Sequence, residues 1–425
     1  MDNNEIIELI KKEVVPAMGC TEPMAVALCV SYATQELGTL PERIEVWLSA
    51  NMLKNAMGVG IPGTGMTGLP IAIALGAMIG KSCYGLEVLK DVNADAVAAG
   101  RCYVEEKRIG VHLKDNISEK LYIEVLCTAG GRNSKAIISH DHTHLAWLEG
   151  PSGIKVQEEG ITEGIAEEEA ADGLTLRRVY DFATTVPLEQ IEFINEARRL
   201  NEKAAKLSLA GNYGHELGKT LSRPLGKGIL GDSIFCHILS ATSGACDARM
   251  AGAQIPVMSN SGSGNQGIAA TMPVVVFAEE NHNTEEELTR ALILSHLTAI
   301  YIKQSLGRLS ALCGCVVAST GSSCGITYLM GGNFDQIASS IKNMVANLAG
   351  MLCDGAKPSC ALKVSSGVST AVLSALLAIQ NNTVSSAEGL VEDDVDKCIR
   401  NLTRVGSKGM DETDRMVLDI MTHKE

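Results

Sequence analysis

The chain has 425 residues, 46% of them hydrophobic, and a formal net charge of -14. A chain of this length and apolar content can bury a large core, as two domains or as one elaborated domain. Nucleic acids and anionic membranes attract basic surfaces, whereas this acidic chain has no run of lysine or arginine longer than two. We therefore expect no nucleic-acid and no membrane partner, and we expect a small-molecule ligand.

The first 80 residues predict helices interrupted by one strand. In chain order, the predicted elements are helices at 5–15 and 22–37, a strand at 43–49, a glycine-rich loop at 51–68 and a helix at 69–79. The acidic start of the chain lacks the basic region and apolar segment of a secretory signal. The 13 cysteines are therefore expected to be reduced thiols in the cytoplasm, available for metal binding or catalysis.

The middle of the chain has a different pattern, with alternating and β-branched residues. It predicts strands at 108–113, 121–128, 134–142 and 145–148 around a helix at 93–106. From residue 187 onward the pattern is helical. The predicted fold is mostly α with an inserted α+β lobe: a helical catalytic domain formed by 1–80 and 187–425, and a lobe formed by 81–186.

Several stretches of the helical part carry no charge at all. They span residues 55–80, 251–278, 309–334 and 364–387. Each is rich in Gly, Ser or Thr and lacks the dense apolar core and aromatic belts of a membrane span. We interpret them as buried helices and tight loops around a shared site.

Cys20 lies in the motif GCTEP, directly before the threonine that is predicted to cap the next helix. Thr21 can accept a free backbone N–H, Glu22 favours the positive end of a helix, and Pro23 is tolerated in the first turn. A thiolate is stabilised at such a position. The alternative is a buried cysteine that packs as a small hydrophobe.

Two glycine-rich loops, at 51–68 and 259–267, each contain the pattern G-x-G-x-x-G. Neither pattern directly follows a strand and opens a helix of a βαβ unit, so we do not expect a dinucleotide site. Their backbone amides and their Asn, Ser and Thr side chains could hold a carboxylate. The alternative is that both loops are tight connections between helices.

Three histidines, His140, His142 and His144, follow one another at every second position. On a strand, their rings would face the same side, and this spacing can suit a metal. Polar residues on a strand edge or in its terminal loop are the simpler interpretation. A role for His142 as a donor to a substrate carboxylate or leaving group stays open.

Cysteines of the C-terminal half are the most informative residues. Cys313 and Cys360 lie near predicted helix starts, and Cys353 precedes an Asp-Gly turn. Thiolates are favoured near helix starts. No C-x-x-C pair occurs, which argues against a zinc site of the usual spacing. Scattered core cysteines remain the alternative to a thiolate cluster.

These motifs resemble a known family. The segments MGCTEP, NMLKNAMGVGIPGTG, SNSGSGNQG, CGC, MLCDGAKPSC and KGMDETDRMVLDIM are similar to the L-cysteine desulfidase family, which is related to the α domain of iron-sulfur L-serine dehydratases. The resemblance implies that Cys313, Cys353 and Cys360 hold a 4Fe-4S cluster with one iron left open. It also implies that Cys20 is the base that removes the substrate α-proton.

The reaction implied by the resemblance is β-elimination from L-cysteine, giving sulfide, ammonia and pyruvate. Such a reaction needs a base at Cα and an electron-withdrawing group at the β-substituent. Our candidates for orienting the amino acid are polar and glycine residues of the two loops, together with one histidine: Asn51, Lys54, Asn55, Gly63, Thr64, His142, Ser259, Asn260 and Ser261.

Several alternatives stay open at this stage. The first is an L-serine dehydratase. A pyridoxal phosphate lyase would use Lys54 for its Schiff base, and a non-catalytic protein would bind metal or sense oxidants through its thiols. A homo-oligomer is likewise an open alternative.

Overall fold

The computed structural model describes residues 1–114, 117, 119–158, 174–307 and 310–423. These residues form seventeen α-helices and eight β-strands, so the chain is mostly helical, as predicted. The helices are α1 (Asn3–Glu13), α2 (Thr21–Leu37), α3 (Ala50–Ala56), α4 (Leu69–Met78), α5 (Ala94–Glu105), α6 (Leu176–Thr185), α7 (Asn195–Ala210), α8 (Leu217–Ser222), α9 (Pro224–Leu230), α10 (Ile234–Met250), α11 (Gly264–Glu280), α12 (Glu285–Leu306), α13 (Gly314–Leu329), α14 (Phe334–Leu348), α15 (Cys360–Ile379), α16 (Val395–Arg404) and α17 (Asp411–Thr422). The strands are β1 (Pro16–Met18), β2 (Arg43–Leu48), β3 (Ile109–Leu113), β4 (Tyr122–Ala129), β5 (Arg132–Ser139), β6 (Leu145–Gly150), β7 (Gly153–Gln157) and β8 (Pro256–Met258).

Six of the strands form one mixed sheet in the order β3-β2-β4-β5-β6-β7. β2 and β3 are parallel, and the other neighbouring strands are antiparallel. Along β2, Ile44, Val46 and Leu48 are fully buried, because alternate side chains of a strand point to the same face. This buried face packs with α2 and α4 into one hydrophobic core, which we call the sheet core.

The sheet takes strands from both sides of the predicted boundary at residue 80. β2 precedes that boundary and β3 to β7 follow it. The division into a domain of 1–80 and 187–425 and a lobe of 81–186 stays a prediction. Two local predictions were wrong. Residues 50–56 form α3 because their glycine-free sequence supports a helix before the glycines begin, and residues 140–144 lie in the turn between β5 and β6.

The second core, which we call the helical core, contains α1 and most of the helices that follow residue 174, whereas Leu418 of α17 belongs to the sheet core. Almost all of α13 is buried, and it packs against α11, α12, α14 and α15. Helices α12 and α13 approach closely at Gly321, where a Cβ atom would lie 2.2 Å from the carbonyl oxygen of Ser295. The charge-free stretches at 251–278 and 309–334 overlap α11 and α13, so their interpretation as buried helices is confirmed.

Helix α15 has the length and the apolar composition of a membrane span. Half of its apolar window is buried inside the protein. Core helices of soluble proteins often have the same composition, so this single helix is weak support for a membrane location.

Candidate active site

The N-termini of α2, α11, α13 and α15 meet around one cavity of about 110 Å³. A short antiparallel pair of strands, β1 and β8, places the start of α2 beside the start of α11. Helix α13 packs against both α11 and α15. Because helix N-termini carry free N–H groups and partial positive charge, this arrangement favours a bound anion or anionic cluster.

All three predicted metal ligands line this cavity. Cys313 is the residue directly before α13, and Cys360 is the first residue of α15. The Cys313 N–H donates to Met351 O over 2.9 Å, and the Cys353 N–H donates to Ala311 O over 2.7 Å. These two backbone bonds hold the Cys313 and Cys353 segments side by side, although forty residues of chain separate them.

The donor set suits a cluster better than a single ion. Among the described residues, no three His, Cys, Asp or Glu side chains are arranged to hold one metal ion. Three thiols nevertheless line one cavity. In an iron-sulfur cluster the thiolates are distributed over several irons, so donors placed around a cavity can bind it. The residues therefore fit the implied cluster.

Two lysines line the same cavity and can balance the charge of bound thiolates. Lys303 is buried, and burial lowers its pKa to about 8. Lys363 donates to Leu352 O over 2.7 Å and pairs with Asp354. A further thiol, Cys315, also lines the cavity, with its Sγ 3.4 Å from Cys313 Sγ. The ligand set named above thus stays a prediction.

Cys20 makes a close contact with Glu22. Its Sγ donates to Glu22 Oε2 over 2.9 Å, and both side chains are buried. Burial and the neighbouring carboxylate raise the pKa of the Cys20 thiol well above its ordinary value. The thiol is thus the stable form, contrary to the expectation from the helix position alone.

Glu22 is a site residue that the sequence analysis did not identify. Burial alone would raise the pKa of Glu22, but the charge of His142 and the hydrogen bond from Cys20 lower it below its ordinary value. Glu22 is therefore a carboxylate at neutral pH and accepts the hydrogen bond from the Cys20 thiol. The sequence pattern indicated only a helix start at this position.

Of the predicted binding residues, Asn55 lines the cavity. His142 is buried and lies near Glu22, whereas Asn51 donates to Asp414 Oδ2 over 2.6 Å and Lys54 forms an ion pair with Asp414. The latter two side chains therefore anchor the C-terminal helix α17 to α3.

The other predicted binding residues stabilise loops. Ser259 Oγ donates to Val15 O over 2.6 Å, Asn260 binds His296, and Ser261 Oγ donates to Asn260 Oδ1 over 2.9 Å. Thr64 Oγ1 donates to Ile61 O over 2.8 Å, within a turn that also contains Gly63. The cavity is lined instead by the residues that follow Ser261, among them Asn265 and Gln266.

The three histidines lie in the turn that follows β5, which agrees with the simpler interpretation as residues of a terminal loop and not with a row on one strand face. His140 has a φ of +68°, so the chain turns sharply there and the three rings do not share one strand face. His140 and His144 are in ring contact, with centroids 5.9 Å apart. His142 is directed inward and is buried.

Comparison with known proteins gives a family match and several similar proteins. Residues 83–419 match the family described as "Serine dehydratase alpha chain". The chain is 65% identical over 423 residues to a UPF0597 protein of Bacteroides fragilis, covering 100% of this chain and 99% of that one. It is 64% identical over 423 residues to a UPF0597 protein of Bacteroides thetaiotaomicron, covering 100% and 98%. A UPF0597 protein of Porphyromonas gingivalis is 53% identical over 428 residues, covering 99% and 98%.

The chain belongs to the serine dehydratase alpha-chain family. The predicted relation to the α domain of serine dehydratases is thereby confirmed. The part that matches this family contains Cys313, Cys353 and Cys360, whereas Cys20 and Glu22 precede it. In this serine dehydratase-like chain, the fold brings both groups to one cavity.

Proposed function

We propose that the protein catalyses β-elimination from a small L-amino acid, with L-cysteine as the preferred substrate and sulfide, ammonia and pyruvate as products. The observation that carries this proposal is the meeting of the Cys20–Glu22 pair with three thiols at one cavity. The membership of the serine dehydratase alpha-chain family supports lyase chemistry of this type. The reduced thiols that it needs are consistent with action in the cytoplasm.

Cys313, Cys353 and Cys360 would hold a 4Fe-4S cluster. When bound, such a group supplies a Lewis acid that withdraws electrons from the β-substituent. The lysines Lys303 and Lys363 stand beside these thiols and favour their ionised form. Their positive charges lower the cost of collecting several negative groups in a mostly buried place.

Cys20 and Glu22 provide the proton acceptor. Transfer of the Cys20 proton to Glu22 Oε2 over the existing 2.9 Å contact is unfavourable, because the pKa of the thiol is raised and that of the carboxylate is lowered, so the thiolate forms only transiently. Once formed, this thiolate can accept the proton from the substrate Cα. The electron pair of the Cα–H bond then forms the Cα–Cβ double bond, and the β-sulfur leaves with its own bonding pair. Glu22 can return its proton to the leaving group. The aminoacrylate product hydrolyses to pyruvate and ammonia.

A preference for L-cysteine follows from the softness of sulfur, which suits iron better than a hydroxyl oxygen does. Discrimination by fit between SH and OH is weak, about a hundredfold or less. The family match favours a second candidate, an L-serine dehydratase. A pyridoxal phosphate lyase is less well supported, since Lys54 is paired with Asp414.

The test is an anaerobic purification with iron and sulfide analysis, followed by assays of sulfide and pyruvate release. We expect a higher kcat/KM for L-cysteine than for L-serine, and no rate with D-cysteine because Cys20 can reach one face only. Cys20→Ala should keep its iron and lose about 10³-fold or more in kcat. Cys236→Ala is the matched control, because Cys236 is buried in α10 and its Sγ contacts the carbonyl oxygen of Leu221.

Each result has a distinct meaning. Faster turnover of L-serine would assign the protein as an L-serine dehydratase. Iron present without turnover of either amino acid would contradict the catalytic proposal and favour thiol-metal binding or redox sensing. Loss of iron in Cys20→Ala would show that Cys20 is a ligand rather than the base.

A further inference from the structure

Arg249, at the end of α10, is a buried cation that lines the cavity. Its side chain is 3% exposed. Nη2 donates to Gly19 O over 2.9 Å, and Nη1 donates to Asn265 Oδ1 over 3.0 Å. The charge of Arg249 lowers the pKa of the buried Glu22, but the two side chains form no hydrogen bond among the described residues, and Arg249 Nε has no hydrogen-bond partner there. A buried charge of this kind is costly unless an anion pairs with it.

Gln266, in the first turn of α11, has a buried acceptor atom to which no described residue donates. It is 4% exposed and lines the same cavity, and its Oε1 atom has no hydrogen-bond partner among the described residues. An amide oxygen accepts hydrogen bonds and donates none. Leaving a buried acceptor unpaired is unfavourable, so Oε1 suits a donor on a bound molecule.

Two glycines make room for these side chains. A Cβ on Gly264 would lie 2.3 Å from Arg249 Nε, and a Cβ on Gly314 would lie 2.9 Å from Gln266 Cδ. Any larger residue would displace the guanidinium or the amide. The backbone thus packs directly against both groups and fixes their positions at the cavity.

We propose that Arg249 binds the α-carboxylate of the amino acid and that Gln266 Oε1 accepts a hydrogen bond from its α-ammonium group. This inference rests on the proposed function, because it names the groups that recognise the substrate of that reaction. Arg249 contacts the carbonyl oxygen of Gly19, the residue before Cys20. The α-carboxylate is attached to the carbon that loses its proton, so its binding there places Cα near Cys20 Sγ.

The experiment uses the cluster-loaded protein and three ligands that cannot undergo elimination. L-Alanine carries both charged groups, propionate lacks the ammonium, and ethylamine lacks the carboxylate. Dissociation constants are measured by anaerobic titration calorimetry for the wild type, Arg249→Gln and Gln266→Leu. The matched control is Arg290→Gln, since Arg290 also donates to backbone carbonyls, those of Ala183 and Val186.

In Arg249→Gln, the affinity for L-alanine and propionate should fall about 30- to 100-fold, as expected for a lost charged hydrogen-bond pair. The affinity for ethylamine should stay within about twofold. In Gln266→Leu, L-alanine and ethylamine should bind about 5- to 20-fold more weakly, with propionate unchanged. Arg290→Gln should bind all three ligands like the wild type.

Equal losses for all three ligands in Arg249→Gln, or no binding of L-alanine by the wild type, would overturn the proposal. If Arg249→Gln does not fold, Arg249→Lys keeps the charge, and the ratio of L-alanine to ethylamine affinity must still fall at least about tenfold. Binding and turnover can fail separately. Selective L-alanine binding by a protein that does not release sulfide would contradict the proposed function and leave this assignment standing.

Discussion

The thiols beneath the sheet and the thiols at the cavity are both buried, yet their surroundings differ in kind. In the sheet core, Cys29 Sγ contacts Ala136 O at 3.5 Å, and Cys127 Sγ contacts Thr34 Oγ1 at 3.9 Å. Burial raises the pKa of Cys29 well above its ordinary value, and the neighbouring Cys127 and Glu124 raise it further. Burial raises the pKa of Cys127 to about 12.

At the cavity, thiols are close to one another and to cations. The sulfurs of Cys313 and Cys315 are 3.4 Å apart, and Lys303 and Lys363 line the same cavity. The neighbouring Cys313 and burial raise the pKa of Cys353, whereas the charge of Lys54 lowers it. Burial alone therefore produces an inert cysteine. The cavity differs from the sheet core because several thiols line one cavity beside cations and helix N-termini. These features favour ionisation of the thiols when a metal binds.

The largest effect that tests this contrast is loss of iron. Cys313→Ala, Cys353→Ala and Cys360→Ala should each lose most of the iron and the broad visible absorbance of the cluster, because each change removes one of its thiolate ligands. Cys29→Ala in the sheet core should keep both. Iron per chain and visible spectra after anaerobic reconstitution measure the difference. Normal iron in all three cavity variants would contradict the assignment, and loss in Cys315→Ala would add Cys315 to the ligand set.

Local signals in the sequence predicted much of this arrangement. The helix starts and the charge-free helices could be predicted from spacing and composition. The choice of Cys313, Cys353 and Cys360 among the 13 cysteines came from the family resemblance. The roles of Asn51 and Lys54 could not, because their partner Asp414 lies more than 350 residues further along the chain. The Cys20–Glu22 contact was also missed, because a capping pattern predicts where a helix starts but not the direction of the side chains at that start.

The second test compares a buried ion pair with a partly exposed one. Lys54 is 1% exposed and pairs with Asp414, whose side chain is 19% exposed. Lys54→Met removes the cation and leaves a mostly buried carboxylate, so we expect the free energy of unfolding to fall by about 2–4 kcal/mol. On the sheet, Lys114 is 32% exposed, and Glu124 retains Lys135 at 2.7 Å. Lys114→Met should therefore cost about 1 kcal/mol or less.

Urea denaturation with comparable m-values measures both changes. The double variant Lys54→Met/Asp414→Leu should recover a large part of the loss, because it removes the unpaired charge. Equal losses in the two single variants would show that the contact between α3 and α17 is no more than a surface ion pair.

The smallest effect concerns a histidine of the helical core that lies away from the cavity thiols. His296 is fully buried; its Nδ1 lies 3.1 Å from Asn260 Nδ2, and its Nε2 lies 2.9 Å from Thr271 Oγ1. Thr271 Oγ1 donates to Gly267 O, so it accepts from Nε2–H, and Nδ1 accepts from the amide. The contact at Nδ1 requires a neutral ring, and burial lowers the pKa of His296 to about 3.

The sign of the pH effect follows from these values. Between about pH 6.5 and pH 3 the unfolded chain binds a proton at His296 that the folded protein does not, so stability falls as the pH falls through this window. The loss should be about 2 kcal/mol at pH 5 relative to pH 7. His296→Gln should flatten the dependence. His237 is the opposite control: burial alone would lower its pKa, but Asp232 and Glu280 raise it, so His237→Gln should steepen the rise of stability with pH. Urea midpoints at pH 5 and 7 decide between these outcomes, and an unchanged slope in His296→Gln would show that this ring is protonated in the folded protein.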